Sequence, residues 1–324
     1  DWPEIWFEKI VLLEKVLGRL VKYHVTVSNF TLNRMINYLK IPKHLITLIP
    51  NGLELEQFKG HIDKEWGKIV YVGRFVPHKR IDLLISSFLR AYQKNPNLKL
   101  HLAGTGPLLP YFKEKFGHHP AIEFLGYIPE KEKIQLLKSA WLFILTSSRE
   151  GWGISVLESL AAGTPVITVN FPDNASVELV SQGGGIITNP SAEEIAYHIL
   201  HLYNNENDWH LLHSNAYNTA AKYEWKKIAK KFDFFVAEPA MMAKVGKAMG
   251  FTLGPKGKMP QIITPNMDVK SVIENLRSSI RIYVRNNPMV AVAIGQEDMD
   301  PEKLAENALA VIDFVKNKLG DKGK

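Results

Sequence analysis

The sequence predicts a doubly wound α/β domain with a parallel sheet, followed by a smaller α+β block. From Lys68 onward, short β-branched runs alternate with helical runs of ten to fifteen residues. The strand runs are apolar nearly throughout, the pattern of strands buried on both faces of a parallel sheet. Near Lys226–Phe232 this rhythm stops.

The elements follow in order. Ile69–Val72 reads as a strand, and Arg80–Asn95 as a helix with Leu83, Leu84, Phe88 and Ala91 on one face. Leu98–Ala103, Ile122–Leu125, Trp141–Leu145, Pro165–Val169 and Gly185–Thr188 read as further strands. Between them, Leu108–Phe116, Glu130–Lys138 and Ile154–Ala162 read as helices, and more helices run from Ala192 to about Phe232. Such β-α alternation builds βαβ units. Upstream, Ile10–Val21 reads as an amphipathic helix and Val25–Ser28 as a strand. In the second block, Phe234–Ala237 reads as a strand with a helix after it, then a Gly/Pro/Lys loop over Leu253–Pro260 and a helix over Val269–Arg277. Ile280–Val284 and Val290–Ile294 are expected to form an antiparallel pair around the turn Arg285–Pro288. Asp300 offers an N-cap to a last helix with Pro301 at its first position.

Composition bounds the function. In 324 residues there are 40 Lys+Arg against 33 Asp+Glu, a formal charge of +7, and no cysteine. A cysteine nucleophile, disulfides and thiolate metal sites are excluded. The missing thiols fit a reducing compartment, so a cytoplasmic location is expected. The charge is mild: it fits either a solvated lysine-rich surface or an anionic partner. No apolar run approaches the ~20 residues of a membrane span. His118, His119, His210 and His213 read as surface histidines, and no metal site is expected.

Two clusters carry candidate chemistry. Gly73-Arg74 ends the first strand, and Lys79 follows at the start of the next helix. A strand end, two cations and a helix N-terminus can hold an anion, although a solvated Arg and Lys in a loop would look the same. Glu150-Gly151-Trp152-Gly153-Ile154 precedes a helix that carries Glu158. The glycines allow close backbone approach, the first N–H groups of the helix are free to donate, and the two carboxylates suit sugar hydroxyls. Two solvated glutamates beside a turn are the bland alternative.

Taken in order, Ile49–Gly52, Val72–Phe75, Lys79, Ala103–Pro107, Phe124–Tyr127, the Glu150…Glu158 pair and Ala162–Ile167 resemble the donor-sugar domain of glycosyltransferase family 4, of GT-B architecture. The resemblance implies retaining transfer from a nucleotide-diphosphate sugar without a bound metal or other cofactor. Arg74 and Lys79 would hold the diphosphate, and Glu150 would grip the transferred sugar. Backbone groups of Gly73, Gly151, Trp152, Gly153 and Ile154 would meet sugar and phosphate. Glu158 would take the ribose hydroxyls, and the base would lie against Tyr127 and Ile128. Residues 1–60 would be a remnant of the acceptor domain and 61–225 the donor domain. Because a complete enzyme of this type has two Rossmann-like domains, the chain is expected to bind nucleotide sugar weakly and transfer nothing.

Residues 226–324 are similar to part of an archaeal-type large-subunit ribosomal protein, L-one, through Phe234–Ala237, Leu253–Pro260, Arg281–Arg285 and Ala305–Ala308. This implies ribosomal RNA contact through Lys256, Lys258, Arg285, Asn286 and Asn287; the alternative for the Gly/Pro loop is a plain hinge. Trp225–Phe232 fits both families and leaves no linker between them. The chain therefore reads as a donor module, with two alternatives: an RNA-binding ribosomal protein, or a chimera of two partial genes with no combined function.

Overall fold

A computed structural model describes residues 24–277 and 299–319, together with Gly18, Val21 and Ser279. The expected helix over Ile10–Val21 and the antiparallel pair over 280–294 lie outside these residues, apart from Gly18 and Val21. The chain divides into two units, Asp1–Lys231 and Phe232–Lys324.

In the first unit a short parallel pair comes first, β1 (His24–Thr26) with β2 (Ile46–Leu48). Helix α1 (Asn29–Asn37) lies between them, with the Ser28 side chain capping its start. Glu178 holds the same end, accepting from the backbone N–H groups of Asn29 and Phe30. An acidic group is well placed there, because the first helical N–H groups have no intrahelical partner.

The main sheet has six strands: β3 (Glu65–Val72), β4 (Lys99–Ala103), β5 (Ile122–Gly126), β6 (Ala140–Leu145), β8 (Val166–Val169) and β10 (Gly185–Thr188). Their spatial order is β10-β8-β6-β3-β4-β5, and all pairs are parallel. A small parallel pair, β7 (Arg149–Glu150) with β9 (Asp173–Asn174), stands outside it. The connections are helices α2 (Ile81–Lys94), α3 (Leu109–Phe116), α4 (Glu130–Ser139), α5 (Ile154–Ala161) and α6 (Val177–Val180), then α7 (Ala192–Asn204), α8 (Glu206–Ala220) and α9 (Trp225–Ala229). The strand order reverses between β3 and β6. In doubly wound sheets that is where ligands bind, outside the carboxyl ends of the strands.

Every residue of β6 is buried, as its continuous apolar run requires. The amphipathic helix α2 turns Ile81, Leu84, Ile85, Phe88 and Ala91 onto the sheet. Helix α9 closes this unit: Leu53 donates its N–H to the Tyr223 carbonyl at 3.0 Å, and Trp225 returns one to Leu53 at 3.1 Å. A Cβ on Gly52 would stand 2.7 Å from the Trp225 ring, so only glycine fits beneath that helix.

In the second unit β11 (Val236–Ala237) pairs with β12 (Gln261–Ile262) in parallel, across helix α10 (Pro239–Leu253). The described strands thus form a small β-α-β unit, and the expected antiparallel pair over 280–294 lies outside the described residues. Helices α11 (Val269–Arg277) and α12 (Pro301–Leu319) follow. Asp300 caps α12 as expected, its carboxylate accepting from Glu302 N–H at 2.9 Å. Among the described residues of this unit, Leu253 is the one large apolar side chain that is fully buried, and Phe251 is fully exposed.

Candidate functional site

A cleft of about 460 Å³ opens at the carboxyl ends of β3 and β6, lined by Gly73, Arg74, Lys79, Gly151, Trp152, Gly153, Ile154 and both glutamates, Glu150 and Glu158. Val27, Asn51, Val72, Lys133 and Ser155 complete its wall. Residues more than eighty positions apart in the chain meet here because successive crossovers return to neighbouring strands at the switch point.

Close backbone approaches position the cations. Gly73 N–H donates to Ala103 O at 3.0 Å and Phe75 N–H to Thr105 O at 2.8 Å, so the turn after β4 grips the turn that bears Arg74. Gly104, at φ +135°, leaves no room for a side chain: a Cβ would fall 1.8 Å from Gly73 O. The buried Tyr71 hydroxyl donates to Arg74 O at 3.0 Å. Burial drives that phenol's pKa upward, so it stays a donor. Arg74 itself is exposed at the rim.

Lys79 is held by the segment after β6. Thr146 Oγ1 donates to the carbonyls of Lys79 and Arg80 at 3.0 and 2.8 Å, and Ser148 N–H to His78 O at 2.7 Å. The Lys79 ammonium donates to Glu150 Oε1, which also accepts from Ser147 Oγ at 3.0 Å. Both members of this ion pair are largely buried, with 14% and 13% of the side chains exposed.

Glu158 lies opposite, with 13% of its side chain exposed. It accepts from Lys133 Nζ at 2.8 Å, and Lys133 also reaches Glu130 at 2.8 Å. Burial raises the Glu158 pKa, and the Lys133 ammonium opposes that shift without cancelling it. Gly153, at φ +90°, turns the chain into α5; a Cβ there would meet Ser176 Cβ at 2.9 Å. A Cβ on Gly151 would meet nothing within 4 Å, so its lack of a side chain serves the cleft and not the packing.

Of the residues singled out from the sequence, Tyr127 and Ile128 are not brought into this cleft. They follow β5, which β3 and β4 separate from β6, on the same edge of the sheet, and Tyr127 is 78% exposed. Lys133, Ser147 and Thr146 were missed. Lys133 sits in the charge-dense run Glu130-Lys131-Glu132-Lys133, which reads as a solvated helix face until the fold turns it towards Glu158.

In the second unit Lys256 is exposed on its turn. Lys258 is not free: its ammonium donates to Phe232 O at 2.8 Å and to Asp233 at 3.0 Å, which makes it a tie within the unit. Arg285, Asn286 and Asn287 lie outside the described residues. Among the described residues no group of three or more His, Asp or Glu could hold a metal ion, and no helix is long and apolar enough to cross a membrane.

The first unit is therefore a Rossmann-like module with cations, carboxylates and a helix N-terminus gathered at its switch point. The chain belongs to the family of glycosyl transferases group 1, whose model matches residues 54–219. A second match, to the ribosomal protein L1p/L10e family, covers residues 214–324. Over 93 residues the chain is 48% identical to the large ribosomal subunit protein uL1 of the archaeon Pyrobaculum neutrophilum. That stretch is 29% of this chain and 42% of the relative, so less than half of the relative's length is represented. Among solved structures, the fold is shared with Anabaena Alr3699/HepE in complex with UDP and glucose, with a TM-score of 0.60 and 20% identity over 71% of this chain and 66% of that one. It is shared also with the pneumococcal O-GlcNAc transferase GtfA in complex with UDP and GlcNAc, with a TM-score of 0.56 and 19% identity over 68% of this chain and 45% of that one.

Proposed function

We propose that the cleft at the carboxyl ends of β3 and β6 binds a nucleoside-diphosphate sugar, and that the first unit is the donor-binding half of a retaining glycosyltransferase. The observation that carries this reading is the meeting of Arg74, Lys79, Glu150 and Glu158 in one cleft beside the N-terminus of α5. Family membership and the UDP held by two proteins of the same fold support it.

Each group has a role. Arg74 meets the diphosphate from the rim, and the first N–H groups of α5 meet it from below. Lys79 exchanges its bond to Glu150 for a phosphate oxygen, which leaves the Glu150 carboxylate, still fixed by Ser147, to accept from hydroxyls of the transferred sugar. Glu158, steadied by Lys133, accepts from the ribose. As the bond from sugar to diphosphate breaks, negative charge grows on the leaving group; Arg74 and Lys79 are fixed where it appears, so stabilising it needs little rearrangement. The base lies further along the same edge, towards Tyr127 and Ile128.

Thermal protection by UDP-, GDP- and ADP-sugars tests this. One of them is expected to stabilise the protein, and Arg74→Ala and Glu158→Ala each to abolish that protection. Equal protection in both variants sinks the assignment.

For the second unit, the match to the ribosomal L1p/L10e family favours RNA binding. The exposed Lys256 serves it through phosphate, with Arg285, Asn286 and Asn287 as further contacts. Retention on a stalk rRNA fragment that falls steeply with salt supports this reading, and salt-independent or absent retention contradicts it. The two modules have separate functions on this reading, with no combined one.

A further inference from the structure

The opposite edge of the main sheet holds a second cavity, of about 620 Å³. Lys64 directly precedes β3, and Lys138 sits in the last turn of α4 just before β6. The proposed donor cleft gathers where those same strands end. Trp66 at this cavity and Val72 at the cleft stand six residues apart along β3, about 20 Å at about 3.3 Å per residue, so this cavity is not an extension of the cleft.

The cavity presents two largely buried ammonium groups whose partners among the described residues are all neutral. Lys64 Nζ donates to Ala162 O at 3.0 Å and to the Thr164 hydroxyl; Lys138 Nζ donates to Lys59 O at 2.8 Å. The carboxylates nearby are already engaged: Glu206 with His210 at 3.2 Å, Asp63 with His61 at 2.8 Å and Glu56 with Lys59 at 2.7 Å. Burial, helped by the neighbouring Lys138 charge, pushes the Lys64 ammonium down to about 7. A desolvated cation without a counter-charge is costly, and an anion brought beside it removes much of that cost. Beside these cations stand aromatic faces: Trp66, 37% exposed, Tyr217, 44% exposed, and the buried Trp209. Rings beside paired cations suit a ligand with a flat or pyranose body and an acidic group.

We propose that this cavity is a second ligand site for a ring compound bearing a phosphate or carboxylate, its anion held by Lys64 and Lys138 and its ring laid against Trp66 and Tyr217. The site stands whether or not the cleft at the other end of these strands binds a nucleotide donor.

Tryptophan fluorescence of the full chain, titrated with phenyl phosphate, benzoate and inorganic phosphate at constant ionic strength, tests the assignment. Saturable binding is expected for at least one of the ring-bearing anions, and the tighter of the two identifies the acidic group. Inorganic phosphate should bind more weakly than either. Lys138→Met should weaken the better ligand at least about tenfold, the equivalent of about 1.4 kcal/mol. Tyr217→Ala, at an exposed position, should weaken it as well, and Arg74→Ala should leave it unchanged. No saturable binding by any probe, an equal loss in Arg74→Ala, or unchanged affinity in both Lys138→Met and Tyr217→Ala would overturn the proposal.

Discussion

Glu158 and Lys64 are both buried charged groups, and burial shifts each towards its neutral form with opposite consequences. For Glu158 the raised pKa means that its carboxylate is lost at a higher pH than an ordinary glutamate's 4.5. Donor affinity that depends on the ionised form should therefore fall as pH drops from neutral, before exposed carboxylates titrate. Lys133→Met removes the opposing cation and should move that fall to higher pH, measured by titrating the nucleotide sugar at several pH values. For Lys64 the folded pKa of about 7 lies below the ordinary 10.5. Between those values the unfolded chain holds a proton that the folded one has released, so this group's contribution makes stability rise with pH from 7 to 10.5. The contribution is on the order of 5 kcal/mol at most, taking about 1.4 kcal/mol for each tenfold change in proton affinity. Urea unfolding at pH 7 and pH 9.5 should show that rise, and Lys64→Met should flatten it.

Two glycines separate architecture from ligand access at the level of the turns. Gly104 faces the backbone of Gly73, so Gly104→Ala should destabilise the protein by about 2–4 kcal/mol and displace the turn that bears Arg74. Gly151→Ala meets only open space, so it should leave stability within about 0.5 kcal/mol and weaken donor binding by intruding into the cleft. Chemical denaturation and nucleotide-sugar titration of the two variants check both halves. The strands and helices of the main sheet were legible in the sequence because their apolar runs and helical periods are strong: Ile69–Val72, Trp141–Leu145 and Gly185–Thr188 all lie within or match observed strands. Arg74, Lys79, Glu150 and Glu158 were legible by spacing beside glycines and strand ends. Lys133 and the Lys79–Glu150 ion pair were not, because they depend on which crossovers become neighbours. The engagement of Lys258 with Asp233 was hidden for the same reason: a lysine in a Gly/Pro turn reads as solvated whichever way it points.

The two units differ in how much apolar surface their described residues bury. In the first, a continuous core runs from Leu53 to Ala220 across both faces of the sheet. In the second, Leu253 is buried while Phe251, Met241, Leu309 and Ile312 face outward. Few buried apolar contacts mean low local stability, so protease should cut within 232–319 well before it cuts within 65–220. Fragment mapping over a digestion time course measures this, and simultaneous loss of both regions contradicts it. The junction belongs structurally to the first unit: Ile228 and Ala229 are buried, and α9 covers Gly52.

On the proposed reading, one cleft at the sheet's switch point takes a nucleoside-diphosphate sugar through Arg74 and Lys79. Isothermal titration of UDP-, GDP- and ADP-glucose against the full chain, Arg74→Ala and Lys79→Met tests it most directly. One nucleotide sugar is expected to bind with a 1:1 stoichiometry, and each substitution to weaken it by at least about tenfold, a loss of about 1.4 kcal/mol. Binding that is equally tight in both variants, or no binding of any of the three, would contradict it.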